Sequence, residues 1–301
     1  MPIYQVIVLA IVQGLAELLP VSSSAHVVVA EKLMGLDPSS PQMTLLLVML
    51  HTGTMFAVIA YFWKQWKETY FASADAFKRF AVRLVWATAL TGVVGEALIK
   101  LVEHTMFKGA PKAEIEELFG RLDLVAPALF CAGVLILIAG LRKEKVEVAA
   151  TSLTGSITRR SSGSVTMRQA GWMGLVQGLC LPFRGFSRSG ATISTGMLTD
   201  ASKERAERFS FALAVVITPL AIGREAMRLL KATHEAAATG APIDLHGTVV
   251  ASLLGAVFAF LAGLVALKWL SNWLENGRWY LFGIYCLVAS VVVFWLHTCG
   301  Y

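Results

Sequence analysis

A chain of 301 residues that is 56% hydrophobic and only 15% charged, with a mean hydropathy of +0.65, is too apolar for a water-soluble domain of its length. The formal net charge of +6 does not make it a nucleic-acid binder, because its basic residues fall in short segments between apolar runs and form no stripe on a soluble surface. Composition therefore implies the lipid bilayer, with its anionic headgroups, as partner, and no nucleic acid.

The first apolar stretch, 3–19, lacks the Lys or Arg of a signal-peptide start and leads into Gln13 and Glu17 instead of a cleavage site, so it is expected to belong to the folded protein. It runs into Pro20 and a serine-rich turn that becomes helical again. Hydrocarbon tolerates such a break only where protein or water surrounds it, so residues 3–34 are expected as a re-entrant hairpin. Apolar spans follow near 43–63, 80–102 and 124–141, each about as long as a bilayer crossing requires. A second broken stretch runs through 169–183 into Pro182 and gives a second hairpin, 169–200, before spans near 209–230, 248–270 and 280–299. The expected fold is an all-α polytopic membrane protein, a single membrane domain over 1–301, with six transmembrane helices and two re-entrant helical hairpins.

Charge assigns the sides. Lys64, Lys67, Lys78 and Arg79 in 64–79, and Arg142, Lys143, Lys145, Arg159, Arg160 and Arg168 in 142–168, mark cytoplasmic loops, whereas Glu103, Glu114, Glu116, Glu117 and Asp123 mark an outer one. Counting from there puts both termini outside and brings the two hairpins in from opposite faces. The sequence VQGL at 12–15 recurs at 176–179, each copy followed by a proline and a serine-bearing turn. The halves 1–141 and 169–301, joined by the basic loop 142–168, thus read as an inverted-topology repeat, whose binding site lies near the midplane between the repeats. Chance similarity between apolar segments is the alternative.

The chemistry sits on the two breaks. Gln13 and Glu17, four apart, share a helix face. Beyond Pro20, Ser22 is expected to cap the next helix and leave its N-terminal N–H groups and positive dipole end aimed at an anion, with Ser24 beside it. Ser23 and His26 are three apart, close enough for the imidazole to accept a proton from the hydroxyl. The second break offers Arg184, Gly185, Ser187, Arg188, Ser189 and Gly190: guanidinium forks that match phosphate oxygens, and glycines that permit close backbone approach. Ionisable groups at membrane depth cost about 2.5–3.5 kcal/mol each, so Glu17, His26 and Arg188 need a strong compensating reason. A structural Glu17–Arg188 ion pair, and serines that only cap or pack, are the competing readings.

His51, alone in an apolar span, is a secondary candidate that reads equally as a packing residue. Trp63, Trp66, Trp269, Trp273, Trp279 and Tyr280 read as an interfacial aromatic belt. Cys131, Cys180, Cys286 and Cys299 have no metal-ligand spacing and read as buried free thiols.

At these residues the chain resembles the undecaprenyl-diphosphate phosphatases of the bacitracin-resistance family. The first signature appears as Gln13 to Glu17 running into Pro20, Val21, Ser22, Ser23 and His26; the second appears as Gly185, Phe186, Ser187, Arg188, Ser189 and Gly190. Arg184 stands where the second motif usually has proline, and the proline of this chain lies at Pro182. The resemblance implies hydrolysis of a C55-type polyprenyl diphosphate in a bacterial plasma membrane, which recycles the cell-wall lipid carrier and confers bacitracin resistance, through a site open to the outer, periplasmic face. It implies phosphate binding and transition-state stabilisation for Arg188, and metal and phosphate contacts for Glu17 with Gln13, the metal being Mg²⁺ or Ca²⁺. Ser23 would attack phosphorus with His26 as base, or His26 would activate water.

The rival class is a transporter or flippase of a polyprenyl phosphate, since broken helices in inverted repeats also build carriers; a carrier has no need of a nucleophile beside a carboxylate. An acid-phosphatase-type lipid phosphatase is excluded, because its SR-x5-H spacing would require histidine at Ser194. A homodimer is admitted, and the oligomeric state stays open.

Overall fold

The protein is described here by a computed structural model covering residues 2–36, 41–106, 122–142, 164–183, 185–238 and 245–299. The described residues form helices and the turns between them: α1 (Ile3–Leu18), α2 (Ser23–Leu33), α3 (Pro41–Thr69), α4 (Ala74–Met106), α5 (Leu122–Leu141), α6 (Met167–Leu179), α7 (Arg188–Leu198), α8 (Lys203–Ala238), α9 (Leu245–Glu275) and α10 (Tyr280–Thr298). Helices α3, α4, α5, α9 and α10 are long and apolar enough to cross a membrane. The stretch 209–230 lies within α8, a helix of 36 residues with Pro219 inside it.

Local sequence explains where the short helices stop and start. Pro20 cannot continue α1, and the residue before a proline is pushed out of the helical region; Leu19 is accordingly extended at φ −71°, ψ 149°, after its N–H has closed the last turn on the Leu15 carbonyl. The Val21 N–H then turns back to the Leu19 carbonyl at 2.8 Å, and Ser22, at φ +68°, redirects the chain into α2. Helix α6 starts on a capping box in which Thr166 accepts from the Gln169 N–H and the Gln169 side chain accepts from the Thr166 N–H.

Helix α1 packs on α9 and α6 packs on α4, while α5 lies against α10 and α3 against α8 and α9. The repeated VQGL serves one purpose in both places. A Cβ on Gly14 would stand 2.6 Å from Ala262 Cβ and 2.8 Å from the Ala259 carbonyl of α9; one on Gly178 would stand 2.7 Å from Val94 Cβ and 3.0 Å from the Thr91 carbonyl of α4. Small residues let helix backbones touch where apolar surface alone offers no driving force between helices in lipid. The main core joins Leu18, Phe62, Leu129, Ile136, Phe209 and Leu270, and a smaller one joins Val6, Leu9, Leu46, Leu50 and Ala259. Large apolar side chains such as Val85, Val93, Val288 and Val291 point outward from the long helices, as a lipid-solvated surface requires.

Three expectations need correction. The segment 64–79 is mostly helix, the ends of α3 and α4 meeting at a turn over 70–73 where Tyr70 stacks on Phe80. Trp66 and Trp279 are buried and do not join an interfacial belt: the Trp66 indole donates to the Arg208 carbonyl and that of Trp279 to Ser194 Oγ at 3.0 Å, whereas Trp63 and Trp269 are exposed. The four thiols are free, but only Cys286 is buried, and Cys131 and Cys299 are exposed on α5 and beyond the end of α10. Most of the expected outer loop, 107–121, and of the basic loop, 143–163, lies outside the described residues.

Because Gly14 and Gly178 seat their helices by backbone contact, Gly14→Ala and Gly178→Ala should each lower stability by about 1–3 kcal/mol. Gly92→Ala, whose Cβ meets nothing within 4 Å, should not. Thermal unfolding in detergent checks this.

Candidate active site

The two elbows meet. Glu17, on the last turn of α1, lies opposite Arg188, the first residue of α7, and the Arg188 Nη2 donates to Glu17 Oε1 at 2.6 Å across 171 positions of sequence. The second carboxylate oxygen takes the Ser23 hydroxyl at 2.5 Å and the Gln13 amide at 3.3 Å. His51 Nε2 approaches the same oxygen to 3.9 Å, while its Nδ1 bonds the Leu47 carbonyl one turn back in α3. Only 15% of the Glu17 side chain and 23% of the Arg188 side chain remain accessible, so this is a largely desolvated pair whose partners hold one another's charge.

A pocket of about 420 Å³, including its open mouth, lies over the pair. Glu17, Ser22, Ser23 and Ser24 line it from the first elbow; Ser187, Arg188 and Ser189 line it from the second, with Ala16, Cys180, Phe183 and Phe186 as its less polar wall. Gln13 sits behind Glu17. The sequence reading gave none of the wall residues Cys180, Phe183 and Phe186 a place in the site: Phe186 entered only as a letter of the second signature and Cys180 only as a free thiol.

The two helix starts differ. Ser187 caps α7, its Oγ accepting from the Gly190 N–H at 3.2 Å. Ser22 occupies the N-cap position of α2 without capping it: its side chain makes no cap hydrogen bond and its Oγ lies 3.3 Å from Ser24 Oγ. The start of α2 thus has no side-chain cap, and its residues Ser23 and Ser24 line the pocket with Ser22, which puts the positive end of that helix at the pocket.

Ser23 and His26 are not brought together. The Ser23 hydroxyl is taken by Glu17, whereas His26 Nδ1 bonds the Ser22 carbonyl at 2.8 Å and Nε2 meets the Tyr285 hydroxyl of α10 at 2.6 Å. Both ring nitrogens are occupied, and His26 is outside the pocket lining. Tyr285 lies 259 residues away in sequence from His26, and nothing in its own surroundings marks it. The glycines of the second elbow also act otherwise than expected. Gly185, at φ +103°, turns its missing side chain toward the Val125 carbonyl, where a Cβ would stand at 2.5 Å; a Cβ on Gly190 would meet Ile136 at 2.6 Å and Pro20 at 3.1 Å. They let the second elbow close onto α5 and onto the first elbow, and Ser189 reinforces this by donating to the Leu19 carbonyl at 3.3 Å. Arg184 lies outside the described residues.

Taken together, the pocket holds a hydroxyl hydrogen-bonded to a carboxylate, a guanidinium and an uncapped helix start, which is equipment for binding an anion and for activating an oxygen nucleophile. Removing one member of the ion pair exposes the other: Arg188→Gln should destabilise the protein by about 3 kcal/mol, and adding Glu17→Gln should recover most of it. A double-mutant cycle on thermal unfolding measures this.

The comparisons with known proteins agree in their reach along the chain. Residues 6–292 match the model of the family described as bacitracin resistance protein BacA. An undecaprenyl-diphosphatase 2 of Acinetobacter baylyi is 55% identical over 294 residues, covering 97% of both proteins. An undecaprenyl-diphosphatase 2 of Burkholderia thailandensis is 31% identical over 298 residues and an undecaprenyl-diphosphatase 1 of Burkholderia pseudomallei 32% over 302, each covering 97% of this chain and 95% of the relative. A family match across nearly the whole length, and a relative sharing more than half its residues, make this chain a member of the bacitracin resistance protein BacA family.

Proposed function

We propose that the protein is a membrane hydrolase that converts undecaprenyl diphosphate to the monophosphate and inorganic phosphate, and so recycles the lipid carrier of cell-wall synthesis in a bacterial plasma membrane. The observation that carries this reading is the Ser23 hydroxyl at 2.5 Å from a carboxylate that is itself paired with Arg188. A carrier of the lipid would need the cation but not the activated hydroxyl.

In this mechanism the diphosphate head enters from the outer leaflet while its polyprenyl chain stays in lipid. The Arg188 fork transfers from Glu17 to the terminal phosphoryl group, and the uncapped start of α2 receives the same charge. Glu17, released from its ion pair, accepts the Ser23 proton as Ser23 Oγ bonds to the terminal phosphorus. The phosphoanhydride bond breaks, undecaprenyl phosphate departs with the bridging oxygen, and water then cleaves the phosphoserine to free phosphate. Glu17 is preferred to His26 as the base on the distances given above; direct attack by water on Glu17's guidance is the alternative route.

A divalent cation, Mg²⁺ or Ca²⁺, fits this pocket in one way. Glu17 is its one carboxylate, with Gln13 and the serine hydroxyls beside it, and among the described residues no group of three or more His, Cys, Asp or Glu side chains could hold a metal. Such a set suits a hard cation that keeps water and takes most of its ligands from the diphosphate. When bound, the cation would neutralise charge on the phosphate oxygens, with Glu17 and Gln13 as its protein contacts.

We further assign α8 as a sixth membrane span and the two elbows as re-entrant hairpins of an inverted repeat, 1–141 and 169–301. The packing supports this: exchanging the halves turns the α1–α9 contact into the α6–α4 contact and leaves α5–α10 and α3–α8 as they are. Both halves then bring one elbow to a shared midplane pocket.

Purified protein should release phosphate from undecaprenyl diphosphate. Arg188→Ala should cut kcat by about 10²–10³, the effect of losing one preorganised donor to a transition-state oxyanion. Ser23→Ala should abolish a trappable phosphoserine, and a Ser23→Ala enzyme with normal turnover would rule out the nucleophile. Chelation should stop turnover, and added Mg²⁺ or Ca²⁺ should restore it.

A further inference from the structure

The first elbow is strained, and it is held from the far end of the chain. Ser22 is one of the two non-glycine residues with positive φ among the described residues, and it carries the turn that aims α2 into the pocket. Such a conformation persists only where its surroundings over-determine it. The carbonyls of this turn are tied down in sequence. Leu19 O accepts from Ser189 Oγ of α7, Pro20 O accepts from Cys286 Sγ of α10 at 3.3 Å, and Ser22 O accepts from His26 Nδ1 at 2.8 Å.

The last of these bonds sets the chemistry of His26. A carbonyl can only accept, so Nδ1 carries a proton, and Nε2 of the neutral ring is the acceptor for the Tyr285 hydroxyl at 2.6 Å. The rings also stack, with centroids 5.7 Å apart and planes inclined by 15°. Neighbouring residues of one helix, Tyr285 and Cys286, thus both reach the elbow of α1 and α2, one through an imidazole and one directly.

We infer that Tyr285 is a positioning residue for the phosphatase reaction: through His26 it pins the Ser22 carbonyl, and with it the left-handed turn that presents Ser23 and the α2 N-terminus to the phosphoryl group. The inference rests on the hydrolase reading of the pocket. His26 then works as a strut between α10 and the elbow, and its role is to hold a carbonyl, not to take the nucleophile's proton. The link ties the elbow to α10, as the Arg188–Glu17 pair ties it to α7, so two separate elements of the second half hold the turn.

Phosphate release from undecaprenyl diphosphate by the full chain in detergent tests this, with the wild type compared with Tyr285→Phe, His26→Ala, His26→Asn and the Tyr285→Phe/His26→Asn double variant. Tyr285→Phe keeps the ring and should lower kcat about three- to ten-fold, the worth of one neutral hydrogen bond, while KM stays within about two-fold. His26→Asn keeps an amide N–H near the place of Nδ1 and has no base, so it should turn over faster than His26→Ala. Asn is too short to place its amide oxygen where Nε2 stands, so Tyr285 loses its acceptor and the double variant should match His26→Asn alone. Wild-type turnover in Tyr285→Phe, a His26→Asn enzyme as inactive as His26→Ala, or a double variant in which the two losses multiply would each overturn the inference. A wild-type protein that releases no phosphate would instead remove the hydrolase reading on which it depends.

Discussion

One ion pair organises this protein. Glu17 and Arg188 belong to different halves of the chain, and each would be costly alone in a largely desolvated site, so the stable arrangement is the one in which the two elbows face one another. The other features of the pocket follow from that meeting. Gly190, which lets the second elbow approach Pro20, and the Ser189 bond to the Leu19 carbonyl shorten the gap that the ion pair spans, while the Ser23 bond steadies the carboxylate within the first elbow. The competing reading, a pair that merely stabilises, is not an alternative to function here. In the proposed mechanism the carboxylate held by a guanidinium and a hydroxyl also keeps a binding site in store, because an incoming phosphate replaces the carboxylate as partner of the arginine.

The division of labour between the elbows is physical rather than symmetrical. In the second, Ser187 satisfies its own helix start and the positive charge comes from a side chain. In the first, Ser22 leaves the helix start uncapped by any side chain, and the backbone itself offers the charge. The carboxylate and the Ser23 hydroxyl sit on the elbow with the open helix end, which allows an anion bound there to lie beside that hydroxyl.

Much of this was legible in the sequence because the signals were local. Proline after an apolar run, serine after proline, and Gln13 spaced four residues from Glu17 dictate a broken helix with a polar tip, and the repeated VQGL marks two helices that dock through glycine. What escaped was set by distance in sequence or by competition for one group. Ser23 and His26 are well spaced for each other, but the Ser22 carbonyl lies a full turn behind His26 and claims Nδ1, and Tyr285 claims Nε2 from α10. Trp279 reads as an interfacial residue until Ser194, brought from α7, supplies a buried acceptor for its indole. Gly185 and Gly190 read as phosphate cradles because spacing does not say which face of a turn will meet a neighbouring helix. Five of the six expected spans were clear from hydropathy, and the aromatic and cysteine departures depend on which neighbour packs where.

The glycine seats of α1 and α6 reach beyond packing. A bilayer that grows thicker or thinner tilts or strains the helices that contact it, at a modest cost for each ångström of mismatch. Helix α1, which carries Glu17, rests on the backbone of α9 through Gly14, and α6, which leads to the second elbow, rests on α4 through Gly178. Neither is free to slide along its support without a steric clash. Since α9 and α4 are themselves among the long helices most open to lipid, a tilt in either carries its elbow with it, and the depth of Glu17 and Arg188 follows the two supports together.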